Sequence, residues 1–152
     1  MIQIHNKNNQ LFSNSQEAFT LENKNKIGEK KDNKIYYSNY EAQYLMDNNK
    51  AKSNKTMKKT KDFHNNYIVF KHLRKNHIVK TGLKFGTEFR VYKKNEKHAL
   101  YLVHVMKQSQ KLNLKELIAK TRISHSTAKK LLLAVVDSED QVTFQEVNWV
   151  KI

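Results

Sequence analysis

Two of the three glycines in this chain stand four residues apart, at Gly82 and Gly86. The chain has no proline and only one other glycine, Gly28, so this pair reads as a turn, and Phe89–Tyr92 as the strand it feeds. Just upstream, Phe63, Tyr67, Phe70, Leu73 and Arg74 recur at helical spacing. That stripe predicts an amphipathic helix with its aromatic face on the core. His77–Lys80 leads out of it as a strand, and Leu100–Met106 is a further strand after the polar Lys93–Lys97 connection. Asn113 followed by Glu116 is a capping-box pattern for a helix over about Leu114–Lys120. The apolar run Leu131–Val136 predicts a strand buried on both faces. Asp137–Asp140 is an acidic turn, and Gln141–Val150 alternates as a closing strand.

The N-terminal third is less regular. Ile2–Ile4, Gln10–Phe12 and Lys34–Tyr37 predict short strands, Ser15 caps a helix over Gln16–Lys24 with Gly28 in the turn after it, and Ser38 or Asn39 starts a second helix through Met46. Lys50–Lys61 is polar and lysine-rich and reads as a boundary or mobile linker. The expected class is therefore α+β: a small mixed N-terminal domain over 1–60, then a domain over 61–152 with a mainly antiparallel sheet packed against helices.

Twenty-nine Lys and Arg against fourteen Asp and Glu give a net charge of +15. Residues 64–152 hold 17 cations against 7 acids and all three arginines, whereas residues 1–63 hold 12 against 7. Such a balance points to a polyanion, most commonly nucleic acid, although a lysine- and asparagine-rich composition alone produces part of it. The chain has no cysteine, which excludes disulfides, zinc thiolates and cysteine nucleophiles. No apolar run reaches the ~18 residues of a membrane span, and the N-terminus lacks the apolar stretch of a signal peptide, so no membrane partner is expected and an intracellular location is the default. The seven histidines show no metal-ligand spacing. Neither a metal nor a cofactor is expected.

The stretch ending at Tyr92 is followed shortly by His98, and Arg122–Lys130 supplies cations further on. A phenol, an imidazole and an ammonium together form a weak base, a near-neutral acid and a fixed charge. That set suffices for metal-free cleavage of RNA through its own 2′-hydroxyl. A free imidazole has a reference pKa near neutrality, which suits a proton donor. A free phenol, with a reference pKa of about 10, needs nearby cations before it can serve as a base. Each residue also has a plain structural use, in packing or on a solvated surface. The residues alone do not choose between Lys129 and Lys130, which would face opposite sides of a strand.

Phe70–Arg74, Val79–Tyr92, His98–Val103, Arg122–Lys130 and Leu131–Asp137, in that order, resemble the catalytic-domain signature of the tRNA-splicing (tRNA-intron) endonucleases. The resemblance covers about residues 64–152, and extends more weakly to Ile35–Leu45, which is similar to the family's short N-terminal domain. One departure is Asn76-His77, where the family has a glycine at the end of the first helix; asparagine can take the same left-handed cap. The resemblance implies a triad of Tyr92, His98 and Lys129, the count from His125-Ser126 favouring Lys129. It implies that Arg122 and Trp149 sandwich a flipped-out base, and that the products are a 2′,3′-cyclic phosphate and a 5′-hydroxyl. It also implies a substrate, precursor tRNA with a bulge–helix–bulge. It implies an assembly, either a homo-oligomer or a heterotetramer with a structural subunit, joined through Val142–Trp149 with Asp137–Asp140 inserted into a basic cleft of another subunit. The layout resembles the archaeal type, which would be cytoplasmic; a eukaryotic member would be nuclear. The alternative within the family is a non-catalytic, structural or RNA-binding subunit.

Overall fold

A computed structural model describes all 152 residues. They form two compact units, Met1–Lys61 and Asp62–Ile152.

The first unit is a five-stranded sheet in the order β3-β4-β2-β1-β5. β1 (Ile2–Lys7) and β2 (Gln10–Ser13) form one hairpin, and β3 (Glu29–Lys31) and β4 (Lys34–Tyr37) another. Their two-residue turns, Asn8-Asn9 and Asp32-Asn33, all have φ between 50° and 61°. Asparagine and aspartate tolerate that left-handed backbone best after glycine, which is how a chain with three glycines still makes tight hairpins. α1 (Gln16–Asn25) is capped by the Ser15 hydroxyl, and α2 (Asn39–Asp47) opens with a reciprocal Ser38–Glu41 capping box. Glu41 also accepts the Gly28 N–H, which ties the start of α2 to the turn before β3. Ile2, Ile4, Leu11, Ile35 and Tyr37 alternate onto one sheet face and bury with Ala18, Ala42, Leu45 and Met57. Burial pushes the Tyr37 hydroxyl well above its ordinary pKa, with the Glu41 charge adding to it.

The lysine-rich Lys50–Lys61 stretch is not a free linker. Ala51–Ser53 is β5 and pairs in parallel with β1, Asn54 accepts the Asn6 N–H at 2.8 Å, and Met57 is buried. A three-residue strand with one buried side chain leaves no periodicity to read.

In the second unit the sheet order is β10-β9-β8-β7-β6, comprising β6 (Ile78–Thr81), β7 (Phe89–Tyr92), β8 (Tyr101–Lys107), β9 (Lys130–Val136) and β10 (Val142–Val147). Every pairing is antiparallel except β8 with β9, and α4 (Leu114–Ser126) is the crossover that a parallel pair requires. α3 (Phe63–Arg74) covers one sheet face with the predicted stripe: Phe63, Tyr67, Phe70 and Leu73 are buried, and Phe70 meets Phe89 at 6.0 Å between ring centres. Its end departs from expectation. Lys75 is right-handed, and Asn76 is not among the residues of positive φ, so no left-handed cap replaces the family's glycine. The Arg74 guanidinium instead donates to the His77 carbonyl at 2.9 Å.

α4 is six residues longer than its sequence pattern predicts. Its buried residues are Lys120, Thr121 and Ser124, not an apolar stripe. The hydroxyls of Thr121 and Ser124 bond back to the carbonyls of Leu117 and Lys120, which satisfies them without help from elsewhere. Asn113 does cap the helix, accepting from Glu116 N–H, but the Glu116 carboxylate turns to the ammonium of Lys120. That hydrogen bond, and then the Lys120 charge, holds the Glu116 carboxyl below its ordinary pKa.

Candidate active site

The site is built by register at one end of the second sheet. Val91, Tyr101 and Lys130 are successive cross-strand partners on β7, β8 and β9. One residue further out, Leu100 N–H donates to Val91 O at 2.8 Å and Lys130 N–H to Leu100 O at 2.9 Å, so the ladder continues to a row of Tyr92, Leu100 and Lys129. Side chains in one row share a face and those in adjacent rows do not. Tyr92 and Lys129 therefore lie on the α4 face, two strands or about 10 Å apart at the backbone. Lys130 lies on the α3 face, where its ammonium is 3.9 Å from Glu146. His98 stands exposed in the loop between β7 and β8, one residue before the buried Ala99. The structure thus brings Tyr92, His98 and Lys129 to one sheet end and removes Lys130 to the other face.

Lys129 is fixed by the end of α4. Ala128 N–H donates to His125 O, and Lys129 N–H to Ser124 O at 2.8 Å. This is the paired pattern of a Schellman cap, with Ala128 at φ 56° in the left-handed position where glycine is usual. The Lys129 ammonium donates to Thr127 O at 3.1 Å and lies 5.1 Å from the centre of the Phe85 ring. Phe85 sits in the short 3-10 turn Leu83–Phe85 between the two glycines. A Cβ on Gly82 would come within 2.4 Å of Thr87 Oγ1 and 2.8 Å of Thr87 O, and Gly86 is left-handed at φ 73°. Both ends of this turn therefore need glycine. Nothing in the sequence pattern marks Phe85; its place between the glycines is the only signal.

Tyr92 is half-buried. The Arg90 guanidinium carbon lies 5.8 Å from the centre of its ring, and Arg90 Nε is buried without a hydrogen-bond partner. Arg122 is exposed on α4, one turn before His125. Trp149, two residues past β10 and 44% exposed, lies against His125 with ring centres 4.5 Å apart and the ring planes tilted by 43°. The ring contact of the only tryptophan is thus with a histidine in the basic block, on the helix that carries Arg122.

The acidic turn is internally organised: Asp137 accepts the N–H groups of Glu139 and Gln141, each at 2.9 Å, and Asp140 meets His64 at 3.3 Å. No helix is long and apolar enough to cross a membrane.

Residues 63–144 match the family model described as tRNA intron endonuclease, catalytic C-terminal domain. The match includes Tyr92, His98, Arg122 and Lys129 and stops short of Trp149. Among curated relatives, the tRNA-splicing endonuclease of Pyrococcus abyssi is 32% identical over 166 residues, covering 99% of this chain and 98% of the relative. That of Thermococcus kodakarensis is 33% identical over 167 residues, with 99% of each covered. That of Methanothermobacter thermautotrophicus is 30% identical over 150 residues, with 88% of each covered.

Proposed function

Since this chain belongs to the tRNA-splicing endonuclease family and is an endonuclease acting in tRNA intron cleavage, we propose that it cuts precursor tRNA at bulge–helix–bulge sites through the substrate's own 2′-hydroxyl. The 2′-oxygen forms a new bond to phosphorus as the bond to the 5′-oxygen breaks, leaving a 2′,3′-cyclic phosphate and a 5′-hydroxyl. Tyr92 receives or orients the 2′-hydroxyl proton, beside the fixed charge of Arg90. His98, exposed on its loop, gives a proton to the departing 5′-oxygen. Lys129 faces the charge that builds on the phosphorane oxygens. A preorganised donor of this kind is worth ~3–4 kcal/mol.

The observation that carries this reading is the shared row of Tyr92 and Lys129, with Lys130 turned away to Glu146. Arg122 and Trp149 supply planar groups for an unpaired base. The first unit corresponds to the family's N-terminal domain. The assembly is at least a dimer through β10, an edge strand with one side unpaired, as a substrate with two related cuts favours. The acidic turn docks on another subunit, either an identical copy or a separate structural partner.

The test is cleavage of a bulge–helix–bulge RNA in EDTA with end-group analysis. Lys129→Ala should lower kcat about 100- to 1,000-fold, while Lys130→Ala should stay within a few-fold of wild type. A requirement for magnesium, a 3′-hydroxyl product, or equal losses from the two lysines would overturn the mechanism.

A further inference from the structure

The first unit covers only one face of its sheet. Ile2, Ile4, Leu11, Ile35 and Tyr37 bury on that side. On the other side, register places His5 opposite Phe12 and Phe12 opposite Tyr36, across β1, β2 and β4. The three rings form a continuous ladder, with centres 5.5 Å apart between His5 and Phe12 and 5.9 Å between Phe12 and Tyr36. All three are half-buried rather than covered.

Cations frame the ladder. Lys34 sits 4.5 Å from the centre of the Phe12 ring. Lys7, Lys31 and Lys52 fall on the same side by strand alternation and are exposed. Glu29 is the one carboxylate that strand alternation puts on that face. Within residues 1–61 there are twelve lysines and six carboxylates.

We propose that this open face is a second RNA-binding surface, on which unpaired bases of an RNA strand stack on His5, Phe12 and Tyr36 while the lysines hold its phosphates. A sheet face with two or three adjacent rings is a standard platform for splayed-out bases, and each stacked base is sequence-tolerant because every base has a π-face. Paired bases offer no face to these rings, so the occupant is a single-stranded segment. A second copy of the chain is the less fitting occupant. Lysine is depleted in protein interfaces, and two such cationic faces would repel. That the RNA is precursor tRNA rests on the endonuclease reading; the stacking surface itself does not.

The full-length protein is irradiated at 254 nm with a twelve-residue oligouridylate, and the cross-linked peptides are mapped by mass spectrometry. Cross-links at Phe12 or Tyr36 are expected; cross-links confined to 62–152 overturn the proposal. The Phe12→Leu/Tyr36→Leu variant, which keeps both positions apolar, should bind the oligouridylate at least tenfold more weakly and show a raised KM for precursor RNA. Lys7→Gln/Lys52→Gln should flatten the salt dependence of binding by about 1.4 in log–log slope, ~0.7 for each phosphate contact to a single strand. Unchanged affinity in the first variant, or a drop in oligomeric mass with affinity retained, overturns the proposal, the second outcome marking a protein interface. If the ring variant does not fold, as judged by its thermal melt, the wild-type cross-link map decides alone. Wild-type protein that cross-links at Phe12 but cuts no precursor would refute the endonuclease reading and leave this one standing.

Discussion

Lys129 rests its ammonium 5.1 Å from the centre of the Phe85 ring, so the turn between Gly82 and Gly86 is a seat for the proposed charge-stabilising lysine. A cation on an aromatic face at a half-exposed site gains about 1 kcal/mol. Phe85→Leu keeps the apolar bulk and removes the π-face. It should lower single-turnover cleavage about fivefold at saturating RNA and leave KM nearly unchanged. A change in KM alone would mean that Phe85 touches RNA and does not seat Lys129.

Ala128 holds a backbone conformation that costs an L-residue about 1–2 kcal/mol, immediately before Lys129. Glycine would relieve this, at an expense of about 0.4–1 kcal/mol in unfolded-chain entropy. Ala128→Gly should therefore raise stability by up to about 1 kcal/mol, or ~4–8 °C in Tm for a domain of this size. Ala128→Val, β-branched in the same left-handed position, should lower it. Thermal melts of the two variants, read against wild type, check the sign of both.

Glu116 and Lys120 give stability a pH dependence whose sign is fixed. The carboxyl is held below its ordinary value of 4.5 by the Lys120 hydrogen bond and charge, so the folded state binds its proton more weakly than the unfolded chain does. The stabilisation is full above that ordinary value and is lost as pH falls through the lower, folded one. Glu116 is half-exposed at its side chain whereas Lys120 is nearly covered, and screening limits the pair to about 1 kcal/mol or less. Glu116→Gln should be slightly less stable at pH 7, and the gap should be narrower at pH 3, below the ordinary carboxyl value. Denaturant melts at the two pH values measure it; a gap that widened in acid would contradict the pairing.

Most of the strands and both faces of the second sheet can be read from the sequence because their alternation and the α3 stripe are strong periodic signals. What stays hidden has physical reasons. Lys129 and Lys130 are chemically alike, and it is the register of β9 against β8 that puts one on the sheet face of Tyr92 and the other on the opposite face beside Glu146. The second half of α4 is invisible because it buries Lys120, Thr121 and Ser124, whose polar groups are satisfied within the helix. β3 and β5 are three residues each, too short for a period. The tilted ring contact of His125 with Trp149 joins residues 24 positions apart that share no pattern.

That ring contact gives the proposed base sandwich its own test. Trp149 is the only tryptophan, and its indole is half-exposed against His125, so its fluorescence reports on this corner without labelling. A base entering between Trp149 and Arg122 stacks on the indole, and RNA should quench the emission of wild-type protein. Arg122→Ala removes one planar wall, worth about 1–3 kcal/mol. It should weaken binding of a bulged RNA roughly 5- to 150-fold, reduce the quench, and blur the choice of cleavage site. His125→Ala frees one face of the indole and should change the emission of the protein alone. Quenching by RNA that is unaltered in Arg122→Ala, together with faithful site choice, would leave Trp149 as an anchor for the chain after β10 and nothing more.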